Sequence, residues 1–239
     1  MINLWPNPVQ ELLLKAILLN GESGYSAWEQ WDASVDFNRL DYHTCCLMPC
    51  LYFALRDRSI KSPTLPSIKG IYRKYWCKNQ LQFRQLRIVQ QKFQEAGLPL
   101  IVIRGVALAL RSYRDSGLRP VEQLDLLIQA EHIEPVQKLL QDQAWKSVAN
   151  PYNPNSQYFV NSQGNIKLEL HLDAWPLSLD AQAETLKQLH QQNSNLWQAA
   201  QSFSQPDGAV FQMLCPADQL LQVLIQGTYD VSHRSPYRW

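Results

Sequence analysis

No apolar run among these 239 residues approaches the roughly 18 that a membrane helix needs; the longest, such as Leu98–Ile103, are far shorter. A membrane span is therefore excluded. The opening Met1-Ile-Asn-Leu-Trp-Pro6 lacks the basic start and long apolar stretch of a secretory leader, so a cytoplasmic location is expected. Cysteine is sparse as well: five residues, an odd number in a chain this long, do not make a disulfide framework. Three of them fall in His43-Thr-Cys-Cys-Leu-Met-Pro-Cys50, which lacks the Cys-x₂-Cys pairs of zinc sites and continues into Leu51-Tyr-Phe-Ala-Leu55. They are expected to pack as small hydrophobes. Net charge is almost missing, at +1 from 22 basic and 21 acidic residues. Acidic residues are missing altogether between Asp57 and Glu95.

That last absence reveals what the average hides. Residues 58–120 hold 13 basic and 2 acidic residues, whereas 1–57 hold 3 and 7, and 121–190 hold 4 and 9. A concentrated cationic block points to an anionic partner, such as a nucleotide or an RNA, more than net charge does. Disorder is excluded by a hydrophobic content of 46% with 8 Trp, 10 Tyr and 7 Phe.

Periodicity and stop signals predict helices over 8–20, 24–33, 40–56 and 66–96. Along the last, Arg73, Lys74, Lys78, Arg84, Arg87 and Lys92 flank an apolar stripe, and Tyr72, Tyr75 and Trp76 offer rings that could stack on bases or fill a core. The pattern then changes. Leu98–Ile103 is a short apolar, β-branched strand signal, residues 106–114 return to helix, Gln123–Gln129 reads as a second buried strand, and Glu131–Gln143 as a helix. Gln157–Asn161 and Asn165–Leu172 read as a hairpin around Ser162-Gln-Gly164, its second arm alternating Ile166, Leu168, Leu170 and Leu172 with Lys167, Glu169 and His171. From Pro176 onward helix is expected. The order implies an α+β fold: an N-terminal helical region at 1–97, a small mixed-sheet core at 98–175, and a C-terminal helical region at 176–239.

In the core, Arg104-Gly105 opens a helix directly after a strand. A glycine there lets backbone N–H groups approach a phosphate, and the helix N-terminus favours negative charge. Asp125 and Glu169 follow on later strands, and carboxylates from neighbouring strands can hold Mg²⁺ against such a phosphate. Gln123 shares a strand face with Asp125. Arg119 could contact phosphate or pair with Glu122, while His171 shares a face with Glu169 and Asp173 follows shortly after.

Together, Gly97-Leu-Pro-Leu-Ile-Val-Ile-Arg-Gly-Val-Ala-Leu-Ala109, Gly117-Leu-Arg-Pro-Val-Glu-Gln-Leu-Asp-Leu-Leu-Ile128 and Leu168-Glu-Leu-His-Leu172 resemble a bacterial family of uncharacterised nucleotidyltransferases in the polymerase-beta-like superfamily. Its hallmark is a hydrophobic strand ending in Lys-Gly, then Arg-Pro-x-x-Asp-x-Asp-Leu-Leu-Val, then Glu-Leu-His-Trp. Leu47-Met-Pro-Cys-Leu-Tyr52 and Cys215-Pro-Ala-Asp-Gln-Leu-Leu221 are similar to its flanking helices, so the likeness spans nearly the whole chain. The family's members run on into further helices, which implies a short or truncated C-terminal region here.

The resemblance implies a nucleotidyltransferase core between helical regions, NTP as substrate, a two-metal Mg²⁺ site and an acceptor that it does not identify; the basic helix 66–96 makes RNA one candidate, and another protein is a second. The resemblance also implies Asp125 and Glu169 as catalytic and metal-binding residues, and Arg104, Gly105 and Arg119 as phosphate-binding ones. Two positions depart from it. Gln123 stands where the family has the first aspartate of Asp-x-Asp, and glutamine offers a hard dication an oxygen without charge. Arg104 stands where the family has lysine, exchanging a point charge for a planar fork. Glu122 would substitute for the lost carboxylate only if the backbone after Pro120 is irregular. Two other functions therefore stay open: a catalytically impaired relative that binds a nucleotide or a partner, and a nucleic-acid-binding module that uses the basic helix 66–96.

Overall fold

The computed structural model describes residues 6–57, 60, 62–148, 157–161, 166–175 and 194–231, with side chains as far as Gln226. The turn at Ser162-Gln-Gly164, Arg58, Lys61 and the terminal Ser235–Trp239 lie outside the described residues. The chain divides into two compact units, the first running to Asn79 and including Tyr113–Pro120, the second made of Gln80–Ser112 and Val121–Tyr229.

The first unit is helical: α1 (Pro8–Leu18), α2 (Gly21–Ser34), α3 (Tyr42–Leu55) and the first half of α4 (Leu65–Glu95). Helix α1 starts with a reciprocal cap, in which Asn7 Oδ1 accepts from the Gln10 N–H and Gln10 Oε1 from the Asn7 N–H, both at 2.9 Å. Leu13, Trp28, Trp31, Met48, Leu51, Leu55 and Ile68 make its core. Cys50 behaves as the sequence predicts, donating weakly to the Leu118 carbonyl at 3.4 Å, and burial pushes its thiol up to about 11. Gly117 is needed where it stands: a Cβ there would lie 2.8 Å from the Tyr72 ring and 3.0 Å from the Trp76 Cβ. Of the three rings that could stack on bases, Tyr75 is buried, and Tyr72 donates to Asp115 at 3.0 Å and packs on Tyr52. Trp76 is 42% exposed, beside exposed Lys69, Arg73 and Lys74.

Asp41 caps α3, accepting from the backbone N–H groups of His43 and Thr44 at 2.9 and 3.0 Å and from the Thr44 hydroxyl at 2.6 Å. Partial burial raises its pKa, but these hydrogen bonds outweigh it, and the carboxyl is held below the usual value. A depressed folded-state pKa contributes stability that is full above the unfolded value of about 4 and fades as pH falls through the folded one. Asp41→Ala is expected to cost about 1 kcal/mol at pH 7 and progressively less below about pH 4, as measured by urea unfolding.

The second unit holds one seven-stranded mixed sheet, in the order β3 (Trp145–Val148), β4 (Gln157–Asn161), β5 (Ile166–His171), β2 (Leu124–Leu127), β1 (Ile101–Val102), β7 (Val210–Met213) and β6 (Gln201–Ser204). Strand β2 is parallel to β5 and β1 is parallel to β7; the other neighbours are antiparallel. The expectation of helix from Pro176 onward is corrected here, because β6 and β7 form a hairpin around Gln205-Pro-Asp-Gly208 and complete one side of the sheet. The first strand is also shorter than its apolar run: Pro99 has no N–H for a ladder, and only Ile101–Val102 pair.

One sheet face, with Val102, Leu124, Leu126, Leu168, Leu170 and Phe211, packs into a core shared with Phe83, Leu86, Val89 and Phe93 of α4, α5 (Arg104–Arg111) and α6 (Ile133–Asp142). On the opposite face Ile101, Ile103 and Leu127 meet Ala174, Leu214 and Leu196 of a short helix α7 (194–199). Helix α8 (Pro216–Val231) follows β7.

Candidate active site

Parallel pairing of β2 with β5 brings the predicted carboxylates together. Their register sets Asp125 beside Glu169 and Leu127 beside His171, so all three polar side chains emerge on the face opposite the main core. Each is nearly covered, with 5% of Asp125, 7% of Glu169 and 3% of His171 exposed. His171 Nε2 lies 3.0 Å from Asp125 Oδ1 and 3.9 Å from Glu169 Oε2. Buried carboxylates this close repel each other unless donors or cations intervene.

The donors are present. The Gln123 amide nitrogen donates to Asp125 Oδ1 at 2.9 Å and to Glu169 Oε2 at 2.5 Å, so the residue in place of a carboxylate ties the other two together. Tyr158, opposite Glu169 in the β4–β5 register, donates its hydroxyl to Gln123 Oε1 at 3.3 Å. Burial, then the charges of Glu169, Asp125 and Glu122, push the Tyr158 hydroxyl upward, keeping it a donor. For Asp125, burial raises the pKa, but the His171 hydrogen bond and the Arg104 charge outweigh it and hold the carboxyl below the usual range. It is ionised at neutral pH.

Arg104 Nη1 stands 3.8 Å from Asp125 Oδ1, an ion pair beyond hydrogen-bond distance. Its backbone is the strained point of the site: φ is +58° at Arg104, whereas the following Gly105 is ordinary helix. The conformational freedom that the Arg-Gly pair suggests is thus used at the arginine, where an L-residue bears a cost of about 1 kcal/mol or more. Arg104 Nε is buried without a hydrogen-bond partner among the described residues, a donor that a phosphate oxygen would satisfy.

Gln222 of α8, 1% exposed, holds this turn. Its Oε1 accepts from the Arg104 N–H at 2.9 Å and its Nε2 donates to the Ala174 carbonyl at 3.0 Å, joining the start of α5 to the chain leaving β5. Nothing local in the sequence singles it out. Gln222→Leu would orphan two backbone groups and is expected to cost about 2–5 kcal/mol of stability. Gln222→Glu keeps the acceptor and should cost less; urea unfolding of both variants checks the order.

Glu122 is exposed, and its backbone carbonyl accepts from Gln82 at 3.4 Å. Arg119 belongs to the first unit, where its guanidinium lies 5.8 Å from the Tyr113 ring centre and its carbonyl accepts from Asn79 at 2.7 Å. Among the described residues, the group able to hold a metal ion is Asp125, Glu169 and His171, with donor atoms within 4.8 Å of one another. Two carboxylate oxygens and an imidazole nitrogen on one buried face fit a divalent cation. His171 enters the site more fully than its sequence position suggests.

A family described as uncharacterised nucleotidyltransferase matches residues 42–239. The chain belongs to that family. Family membership accords with the α+β architecture and with a general role in nucleotidyl transfer. No curated protein matches the chain in sequence. Among solved structures, the lincosamide antibiotic adenylyltransferase LnuA, lincomycin-bound, is 15% identical over 58% of this chain and 83% of its own, with a TM-score of 0.39. An antigenic nucleotidyltransferase-like protein from Paracoccidioides brasiliensis is 15% identical over 63% of this chain and 67% of its own, with a TM-score of 0.42. In this nucleotidyltransferase family member, the strand after the Arg-Gly turn carries one carboxylate where the hallmark motif has two.

Proposed function

We propose that this protein transfers a nucleoside monophosphate from an NTP to an acceptor, using Asp125 and Glu169 to hold a divalent cation, Mg²⁺ in the form that the resemblance implies. The reading is carried by one observation: Asp125 and Glu169 meet at paired positions of parallel strands, beside a half-buried arginine on a strained turn. When bound, the cation would neutralise phosphate charge and orient the α-phosphate. The acceptor oxygen or nitrogen forms a bond to the α-phosphorus, the bond to the bridging oxygen breaks, and pyrophosphate leaves. Arg104 offers its unpartnered Nε and positive charge to the phosphates. The acceptor's proton passes to Glu169 as general base, the carboxylate paired with Asp125 across the parallel strands.

A second reading rests on Gln123. Its amide already donates to the inner oxygens of both carboxylates, where a cation would otherwise bind, and this favours a relative that binds nucleotide without turning it over. Incubation of the full chain with each of the four α-labelled NTPs, divalent metal, and pools of RNA, protein and small molecules separates the two. Metal-dependent label transfer that is lost in Glu169→Gln supports the transferase. Nucleotide binding with no transfer in any pool supports the second reading.

A further inference from the structure

We infer that His171 supplies a third, nitrogen donor to the ion held by Asp125 and Glu169, and that the site therefore selects Mn²⁺ over Mg²⁺. The inference rests on the proposed reading of those carboxylates as metal ligands and specifies which metal they serve.

The donor set is what argues for it. Mg²⁺ is held through carboxylate and other hard oxygen ligands, and its affinity leans on their negative charge. Here that charge is low for the purpose. Gln123 brings no charge, Arg104 sets a positive charge 3.8 Å from Asp125, and two carboxylates remain. The imidazole changes the balance. His171 Nε2 lies 3.0 Å from Asp125 Oδ1, a spacing close to that between neighbouring ligand atoms around a small dication, and within 4.8 Å of the Glu169 donor. It lies in the β2–β5 register one pleat from the carboxylate pair and is 3% exposed, so the ring already faces them, and in the tautomer that carries its proton on Nδ1 the Nε2 lone pair is the ligand. Imidazole binds Mn²⁺ and the later transition metals better than it binds Mg²⁺. A donor set of two carboxylates and one imidazole therefore weakens the harder ion more than the softer one, relative to an all-carboxylate set. Gln123 can add its Oε1 by turning its amide, a neutral oxygen that either ion accepts.

The test uses the full chain and metal alone. Mn²⁺ is titrated and free Mn²⁺ followed by electron paramagnetic resonance, with Mg²⁺ as competitor, for the wild type, His171→Gln and Asp125→Asn. Wild type is expected to hold Mn²⁺ at least about tenfold more tightly than Mg²⁺, and His171→Gln to lose most of that preference by weakening Mn²⁺ alone. Because His171 is buried, circular dichroism checks that the variant folds. A second measurement needs no variant: electron spin-echo modulation of the wild-type Mn²⁺ complex is expected to show coupling to an imidazole ¹⁴N. Equal affinity for the two ions, or bound Mn²⁺ without ¹⁴N coupling but sensitive to Asp125→Asn, overturns the inference and leaves the carboxylate site standing. Metal binding indifferent to Asp125→Asn overturns both.

Discussion

Asp125→Asn is expected to lower kcat/KM for nucleotidyl transfer by about a thousandfold or more, a loss of about 4 kcal/mol of transition-state stabilisation, without unfolding the protein. The size of the effect follows from position. Asp125 is the central group of its site: His171 and Gln123 bond to it, Arg104 faces it, and Glu169 is its strand neighbour. Removing its charge costs the site half its carboxylate charge and leaves Arg104 and His171 arranged around a neutral amide. Stability should move much less. The substitution weakens charge-assisted hydrogen bonds but also relieves repulsion between two buried carboxylates, and these effects oppose each other. A shift in Tm of no more than a few degrees, measured with the activity, is the outcome that assigns a catalytic role. A large fall in Tm would make Asp125 a structural residue instead.

Gln123→Asp has the opposite signature. The amide nitrogen that joins Asp125 and Glu169 is lost and a shorter carboxylate faces them, so two hydrogen bonds to charged groups give way to like-charge repulsion. At about 1.5–3 kcal/mol for each such bond, the metal-free variant should lose about 3 kcal/mol or more of stability. A divalent cation then has three carboxylates to bind, and Mg²⁺ at millimolar concentration is expected to restore the loss and to bind at least tenfold more tightly than in the wild type, by about 1.4 kcal/mol or more. Melting curves in chelator and in Mg²⁺ give both halves of the result. Destabilisation that no metal rescues would mean that position 123 does not face a metal site.

The sequence exposes some of this arrangement and conceals the rest for definite reasons. Helices α1 to α4 are legible because apolar spacing and caps such as Asn7 and Asp41 are local signals. Asp125 and Glu169 are legible through strand parity and the family-like motifs. Strands β6 and β7 escape because each is four residues long and largely polar or half-exposed, although Pro206-Asp-Gly208 between them is a turn signal. Strand β3 escapes because, in Trp145–Val148, only Trp145 is buried. The full role of His171 depends on a parallel register that no window of sequence contains, and Gln222 reads simply as a polar residue in an amphipathic helix.

Gln222 also gives the site a timetable. The hydrogen bond that secures the Arg104 turn spans 118 residues, and β1 finds its parallel partner β7 more than 100 residues downstream. Asp125 and Glu169 can pair as soon as β5 has been synthesised, but the turn that presents Arg104 to them must wait for α8. Such distant closures are slow steps in folding. A chain that ends before Gln222 therefore lacks the anchor of the Arg104 turn even with its seven strands complete, so activity is expected to need α8 as well as the sheet.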